Sequence, residues 1–513
     1  MPQTLTYPGV YVEEVPSGVR TISGVATSIA LFIGWAKKGP LDRAVRIFNF
    51  ADFEREYGGL HRESLLGYSI KHFFENGGSD AYVIRIANLV RPEGDTTSVL
   101  AETATANLGD IAIKASSPGA WANKYVVKTT LRTPAPPASE GKRFKLEVIH
   151  DDGTTRTTAE SYENVSLDRN STRFVEAIVN ARSRLVKLTV GATPADPTDA
   201  EAKVGVVPGI VGVDGAILDL DAGATHNLIE ALFAQGGVAD KVDLFNLVSV
   251  PGMTNGGGVK KLQKCAADKR AFFLADCPPE STVSTADDDL LACVGSAPSH
   301  AAFYFPWIKS DDPLQQVGHR FFPPSGFVAG IMARTDASRG VWKAPAGTDA
   351  VINGAIELKI KLSDAENGAL NPKGVNCLRT MPVYGNIVWG ARTIDGDNDR
   401  ASEWKYVPVR RMALFLEESL FRGTQWVVFE PNDEPRWSQI RLNVGAFMQS
   451  LFRQGAFQGA TPREAYFVKC DRTTTTQDDI NRGVVNIHVG FAPLKPAEFV
   501  VLRIQQIAGE IAT

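Results

Sequence analysis

The sequence of 513 residues has few cysteines, no long hydrophobic run and no excess of charge of one sign. Its five cysteines include no Cys-x-x-Cys pair, so they are too few and too scattered for a disulfide framework, and a reducing compartment is expected. The longest weakly polar run, residues 22–36, is shorter than the roughly 20 residues that span a bilayer. The 54 basic and 58 acidic side chains leave a net charge of -4, which provides no general attraction to nucleic acid or an anionic membrane.

The common nucleotide-binding and metal-binding motifs are also missing. The sequence contains no G-x-x-x-x-G-K-[ST] loop, no G-x-G-x-x-G turn and no G-x-S-x-G elbow, and its seven histidines form no H-x-H or H-E-x-x-H. The nearest glycine cluster, Gly256–Gly258, has neither phosphate-binding spacing and predicts a flexible turn between a strand and a helix. We therefore predict no catalytic residue, no cofactor-binding residue, no cofactor and no metal ligand.

One acidic segment, Asp395–Asp399, resembles the opening of a calcium-binding loop, with oxygen ligands at alternate positions. Position six is Arg400 rather than glycine and position twelve is Tyr406 rather than glutamate, so the sharp turn and the bidentate ligand are both missing. The segment predicts a solvated acidic loop. The alternative is a hydrolytic enzyme that uses this loop together with Arg392 or Arg410.

The composition that is present, 44% hydrophobic and 22% charged residues, is typical of folded chains. At about 150 residues per domain, the length predicts two to four domains. The first part of the chain predicts a strand at residues 28–35, a helix at residues 65–74 and a buried strand at residues 81–86. This alternation predicts a mixed α/β fold.

A change in composition after Arg91-Pro92 predicts an inserted domain. Residues from 93 to about 200 are rich in Thr, Ala and Ser and predict short strands, whereas helices and strands alternate again from about residue 226. The predicted organisation is an arm at 1–20, a discontinuous middle α/β domain at 21–92 and 235–398, an inserted mostly β domain at 93–234, and a C-terminal domain at 399–513 with a linker strand at 497–507.

Both ends of the sequence predict strands without a hairpin partner. An exposed strand edge favours aggregation unless it is covered, and a strand from another copy of the chain can cover it. Self-assembly through the two ends is therefore a hypothesis that the residues alone support. The strand residues are Gly9, Val10, Tyr11, Val12, Glu13, Glu14 and Val15 near the start, and Phe499, Val500, Val501, Leu502, Arg503 and Ile504 near the end.

Residues 436–463 contain four arginines and no acidic residue. Core packing explains the apolar face of the helix predicted there, and the alternative is a basic helix that docks on an acidic partner surface. The apolar face comprises Ile440, Val444, Phe447, Met448 and Leu451. The candidate contact residues on the basic side are Arg436, Arg441 and Arg453.

Several motifs resemble those of the contractile tail sheath proteins of bacteriophages and related contractile injection particles. The opening Tyr7–Glu14 is similar to the family's start, and Ala115–Asn123 is similar to its A-x-x-P-G-x-W-x-N segment, although Ala122 stands where glycine is usual. The last third carries the most specific motifs, in the family's order. They are Leu370-Asn371, Gly374–Asn376, Val388–Thr393, Tyr406–Arg411, Phe429–Asn432 and Pro496–Phe499.

The resemblance implies a structural subunit that polymerises around an inner tube in an extended metastable state and contracts to drive the tube through a target cell envelope. The expected fold is the multi-domain, mixed α/β sheath fold, with the inserted mostly β domain outermost and both terminal strands donated to neighbouring subunits. The C-terminal domain is then innermost, and the preferred tube contacts are Arg436, Arg441 and Arg453.

The expected partners are further copies of the chain, as a helical or stacked-ring homopolymer, an inner tube protein, and baseplate and tail terminator proteins. Neither nucleic acid nor a stable membrane insertion is expected. The resemblance also implies assembly in the bacterial cytoplasm without a signal peptide, as part of a virion tail or another contractile particle. A non-contractile tail protein is a further alternative, and phage tail, bacteriocin and effector-injecting particle all remain open.

Overall fold

The computed structural model describes residues 21–89, 99–132, 142–206, 209–316 and 318–501. The strands are β1 (Ala30–Trp35), β2 (Val45–Ile47), β3 (Ala81–Ile86), β4 (Thr105–Leu108), β5 (Ile111–Ala115), β6 (Tyr125–Leu131), β7 (Phe144–Asp151), β8 (Arg156–Val165), β9 (Val186–Val190), β10 (Ala200–Lys203), β11 (Leu247–Ser249), β12 (Phe272–Asp276), β13 (Ala301–Phe305), β14 (Ile308–Asp311), β15 (His319–Phe322), β16 (Glu357–Leu358), β17 (Asn376–Met381), β18 (Gly385–Val388), β19 (Tyr466–Lys469) and β20 (His488–Phe491).

The helices are α1 (Phe50–Tyr57), α2 (Leu66–Glu75), α3 (Val175–Arg182), α4 (Gly223–Phe233), α5 (Gly256–Asp268), α6 (Ala286–Ala292), α7 (Ser325–Arg339), α8 (Asp364–Leu370), α9 (Val407–Gly423), α10 (Glu434–Arg453), α11 (Pro462–Ala465) and α12 (Gln477–Asn481). None of these described helices is both long enough and apolar enough to cross a membrane. The chain divides into a larger unit, residues 26–411, and a smaller unit that combines residues 21–25 with the chain from 412 onward.

The larger unit is built on an eight-stranded sheet in the order β18-β17-β13-β12-β11-β1-β3-β2. Neighbouring strands are parallel except for the two outermost pairs, β17 with β18 and β2 with β3. All residues of β1 are buried, as expected for a parallel strand that is covered on both faces. Leu31 and Ile33 pack in one core with α4 and α5, whereas the ring of Phe32 contacts Phe73 of α2. The predicted α/β alternation is confirmed.

The structure differs from the predicted domain boundaries on both sides of the middle domain. Helix α4 belongs to the core of the large sheet, because Ile229 and Phe233 are buried in that core, so the insertion ends before residue 223 rather than at residue 234. At the other boundary, the backbone N–H of Thr393 donates to the carbonyl oxygen of Lys405 (2.9 Å), which keeps residues 399–411 with the larger unit.

The glycine cluster Gly256–Gly258 forms the first turn of α5, so the predicted flexible turn is wrong there. The side chain of Asn255 caps the helix by accepting from the backbone N–H of Gly257 (2.8 Å). A Cβ on Gly256 would lie 2.4 Å from the carbonyl oxygen of Ala292, so close packing explains the glycine there. The Asp221 carboxylate already accepts from the backbone N–H groups of Thr254 and Asn255 (2.9 and 2.7 Å), next to the start of this helix.

The inserted segment is mostly β, as predicted, and has a core of its own. It contains one antiparallel sheet in the order β10-β6-β7-β8, a second in the order β4-β5-β9, and helix α3. The buried guanidinium of Arg85, at the end of β3, donates to the carbonyl oxygens of Ala36 (2.8 Å), Gly39 (2.9 Å) and Pro118 (3.0 Å). Arg85 therefore ties the insertion to the segment that follows β1 of the large sheet.

The two predicted end strands fall mostly outside the described residues. The whole N-terminal strand, Gly9–Val15, and residues 502–504 lie there. Phe499, Val500 and Val501 are described; they form no strand within the chain, and more than three quarters of each residue is exposed. Donation of these strands to a neighbouring subunit stays a prediction.

Candidate assembly site

Within the described residues, the hairpin of β19 and β20 is the one sheet of the smaller unit. It contains four residue pairs, from Tyr466 opposite Phe491 to Lys469 opposite His488. Among the described strands, each of the two pairs only with the other; beside β20, residues 457 and 458 form an isolated bridge to the chain just after the strand, and the rest of the two outer edges is open. A two-stranded sheet is marginal alone and gains stability when further strands are added. The open edges therefore make this hairpin a candidate acceptor of donated strands.

Helix α10 supports the hairpin. The hydroxyl of Tyr466 donates to the side-chain oxygen of Gln449 (2.9 Å), and the ring of Phe457 lies about 6 Å from the rings of Tyr466 and Phe491. Partial burial raises the pKa of the Tyr466 phenol, and the nearby positive charge of Arg453 opposes that rise. The hairpin thus packs against α10 and the residues that follow it.

The apolar face predicted for α10 is confirmed. Its members, which are all buried, are Ile440, Val444, Phe447, Met448 and Leu451. The helix begins at a capped N-terminus, where the Asp433 carboxylate accepts from the backbone N–H of Arg436 (3.1 Å). Core packing therefore accounts for one face of α10, and a docking role has to lie on the other.

The three candidate arginines occupy the polar side of α10 but differ in their surroundings. Arg436 pairs with Glu430 (2.5 Å), and Arg441 pairs with Glu434 (2.7 Å) and also donates to the carbonyl oxygen of Cys470. Arg453 is exposed, and the described residues include no ion pair or hydrogen-bond partner for its side chain. The acidic partners of Arg436 and Arg441 lie before residue 436 and therefore outside the acid-free range 436–463.

The motif Phe429–Asn432 forms the turn in front of α10. The indole N–H of Trp437 donates to the side-chain oxygen of Asn432 (2.8 Å), and the Asn432 amide donates to the carbonyl oxygen of Val484 (2.9 Å). Phe429 itself is fully exposed and has a φ of +67°, in the left-handed region. Sequence reasoning found the motif but had no signal for this exposed ring.

The acidic loop Asp395–Asp399 folds around the buried guanidinium of Arg392. That group donates to the carbonyl oxygen of Gly396 (3.1 Å) and the side-chain oxygen of Asn398 (3.0 Å). In the described residues, no group of three His, Cys, Asp or Glu side chains is placed to hold a metal ion. The guanidinium of Arg410 stacks over the ring of Trp404 at 4.6 Å. These contacts give the loop and both arginines a structural role.

Two family profiles match parts of the chain that include five of the eight strands of the large sheet and most of the smaller unit. Residues 216–394 match the phage tail sheath protein central domain, and residues 399–507 match the phage tail sheath C-terminal domain. Together the two matches cover more than half of the chain. This chain belongs to the phage tail sheath family. The resemblance inferred from the sequence motifs is confirmed.

Three tail sheath proteins of known source are similar in sequence to this chain. The sheath subunit is 26% identical to the tail sheath protein of Vibrio phage KVP40 over 186 residues, which are 36% of this chain and 26% of that protein. It is 24% identical to a putative prophage major tail sheath protein of Pseudomonas aeruginosa over 341 residues, 64% of this chain and 79% of that protein. The match to the tail sheath protein of Enterobacteria phage T4 covers 27% of that protein. The chain therefore aligns with about a quarter of the length of the KVP40 and T4 proteins.

Solved sheath structures share the fold over nearly the whole sheath subunit. The sheath of an extracellular contractile injection system, PVC, in its contracted state has a TM-score of 0.60 at 22% identity, covering 98% of this chain and 99% of that one. The helical sheath of the anti-feeding prophage in its contracted state has a TM-score of 0.58 at 22% identity, covering 98% and 100%. A sheath tail protein of Listeria innocua has a TM-score of 0.60 at 12% identity, covering 92% and 96%. The predicted multi-domain sheath fold is confirmed.

Proposed function

We propose that this chain polymerises into a contractile sheath around an inner tube and that contraction of the sheath drives the tube through a target cell envelope. Membership of a family of structural sheath proteins supports the proposal, as does a fold shared over nearly its full length with sheaths solved in contracted states. The work of contraction comes from the free-energy difference between two assembled states. In this proposal the chain acts as a structural protein and not as an enzyme.

Strand exchange through the β19–β20 hairpin is the proposed link between subunits. The hairpin offers two open edges, and residues 9–15 and 499–504 are the strands that neighbouring subunits donate to them. Main-chain hydrogen bonds between strands survive a rigid-body rotation when the connecting arm bends, whereas contacts between folded bodies can exchange. The subunits therefore stay connected while the sheath shortens.

The inner tube is the proposed partner of the polar side of α10. Arg436 and Arg441 are paired within the chain, so the tube contact depends mainly on Arg453. Baseplate and tail terminator proteins are the proposed partners at the two ends of the polymer. The solved fold also occurs in the baseplate of the anti-feeding prophage, where a chain of 22% identity has a TM-score of 0.57. Assembly takes place in the bacterial cytoplasm, before the particle leaves the cell.

Arg453→Glu is expected to weaken co-sedimentation of the sheath subunit with its tube by up to about fivefold at low ionic strength, because an exposed ion pair contributes little and is screened by salt. Arg482→Glu, at an exposed arginine that pairs with Asp478, is the matched control and should leave co-sedimentation unchanged. Equal binding by Arg453→Glu and the wild type, at every salt concentration, would remove α10 from the tube interface.

Electron microscopy of the purified chain, alone and with its tube protein, tests the proposed function directly. Regular hollow cylinders are expected, and their diameter with and without the tube tells which assembled state has the lower free energy. Monodisperse particles even in the presence of the tube would contradict the proposal and return attention to the enzyme and to the acidic loop Asp395–Asp399.

A further inference from the structure

Phe429 is an apolar side chain that the smaller unit holds in solvent. Its ring is fully exposed, its neighbour Val428 is largely exposed, and its backbone adopts a left-handed conformation that a bulky residue rarely takes. Hydrogen bonds hold the turn after the ring, because Asn432 accepts from Trp437 and donates to the carbonyl oxygen of Val484. Strain of this kind persists where the surrounding structure imposes it, and it concentrates at functional sites.

A cavity of about 240 Å³ lies in the same unit, next to the C-terminal half of α10. Apolar side chains form most of its wall, among them Ile22, Phe415, Phe447 and Leu451, together with the exposed Ser450. An apolar cavity of about 150 Å³ is large enough to bind benzene. The cavity therefore has room for a phenylalanine ring, and its lining residues carry no charge.

Within one chain, the length of α10 separates Phe429 from the cavity. The ring precedes the N-terminus of the helix, and Ser450 lies about 24 Å further along it at 1.5 Å per residue. The two ends also differ in charge. Near the ring end, Glu430 and Glu434 are paired with Arg436 and Arg441, which leaves Asp433 as the acidic group without an ion pair among the described residues. Arg453, without a partner among the described residues, follows the cavity end. The acidic end of one helix thus complements the basic end of another.

We propose that Phe429 of one sheath subunit inserts into the cavity beside α10 of a second copy of this chain. The contact joins two different surfaces, so it is heterologous and repeats from copy to copy, as rings and helical polymers require. The inference rests on the proposed sheath function, which makes another copy available at every position of the polymer. The proposed contact also places Arg453 against a neighbouring subunit. Assembly measured without tube protein separates this contact between subunits from a contact of Arg453 with the tube.

A cysteine pair tests the contact in the full chain. Because Phe429→Cys also removes the ring, cylinders of Phe429→Cys/Ser450→Cys are formed without tube protein at a protein concentration well above the one that the wild type needs. Mild oxidation is then expected to give a ladder of cross-linked chains. The five native cysteines are buried, and a disulfide requires Cα atoms within about 7 Å, so a link within one chain is excluded by the length of α10. Each single-cysteine variant is the control and should give no ladder. Absence of a ladder from well-formed cylinders would overturn the proposal.

Two further variants separate the contact from misfolding. Phe429→Gly relieves the left-handed conformation, so the unfolding temperature of the monomer should not fall, while the concentration needed for assembly should rise about 30-fold, as for loss of an interface hot spot. Ser450→Trp, which fills the cavity, should have the same effect on assembly, and Leu442→Ala, which removes an exposed side chain elsewhere on α10, should have none.

The outcomes distinguish this contact from the sheath function itself. If the wild type forms no cylinders, the proposed function fails first. If the wild type assembles and Phe429→Gly assembles equally well, only the proposed contact is wrong. An effect of Ser450→Trp alone would mean that another segment, such as residues 1–20 of a neighbour, fills the cavity, and it would likewise overturn the proposal. An effect of Phe429→Gly that requires the tube would assign the ring to the tube instead.

Discussion

Deletion of residues 1–16 is expected to leave a folded monomer that forms no sheath cylinders. The described residues of both units have their own buried cores without this segment, so its removal should leave the unfolding temperature unchanged. The deletion removes the whole strand that we propose is donated, Gly9–Val15, and the loss of each main-chain hydrogen bond in that proposal weakens the link between subunits. The sum over the strand should raise the assembly concentration by more than about 100-fold. Thermal melting, size-exclusion chromatography and electron microscopy measure these effects.

A full-length control shows whether main-chain pairing is the cause. Val10→Pro/Val12→Pro removes two backbone N–H donors and should reproduce the deletion, whereas Val10→Thr/Val12→Thr keeps both donors and a β-branched shape and should assemble. Cylinders of normal length and yield from the deleted chain would contradict strand donation by the N-terminal arm. The sheath function would then need a different link between its subunits.

Local periodicity was sufficient to predict the elements that a short segment determines alone. Strand β3 and helix α2 were predicted because their apolar residues recur at strand or helix spacing within ten residues. In the apolar run at residues 242–250, only Leu247–Ser249 pairs as a strand. Phe245 is buried without being in a strand. An apolar run indicates burial, but pairing depends on neighbours that are distant in sequence.

The candidate site was harder to predict because its contacts cross turns. The partners of Arg436 and Arg441 lie six and seven residues before them, outside one helical repeat, so a charge count along the helix missed them. The β19–β20 hairpin joins strands that 18 residues separate, with no tight-turn signal between them. The turn that contains Phe429 is held by two hydrogen bonds of Asn432, from Trp437 and to Val484. No local sequence pattern encodes these bonds.

Arg411→Leu is expected to lower the free energy of unfolding by about 3–5 kcal/mol, because it leaves a buried carboxylate without its counter-charge. The Arg411 guanidinium makes two bonds to Asp336 (2.6 and 3.0 Å) and donates to the carbonyl oxygen of Thr27 (2.9 Å). Both side chains are almost fully buried. Urea unfolding below the assembly concentration measures the loss.

Two comparisons distinguish the contribution of the Arg411–Asp336 ion pair from that of simple side-chain packing. Arg411→Leu/Asp336→Leu should recover much of the stability, because no buried charge is left unpaired. Arg46→Leu breaks an equally well-formed but exposed pair with Asp80 and should cost less than about 1 kcal/mol. A double variant as unstable as Arg411→Leu alone would show that lost side-chain packing, and not the unpaired Asp336, sets the cost. Because Arg411 lies in the first turns of α9 and ends the motif Tyr406–Arg411, recovery in the double variant would identify this pair as the reason for the arginine in that motif.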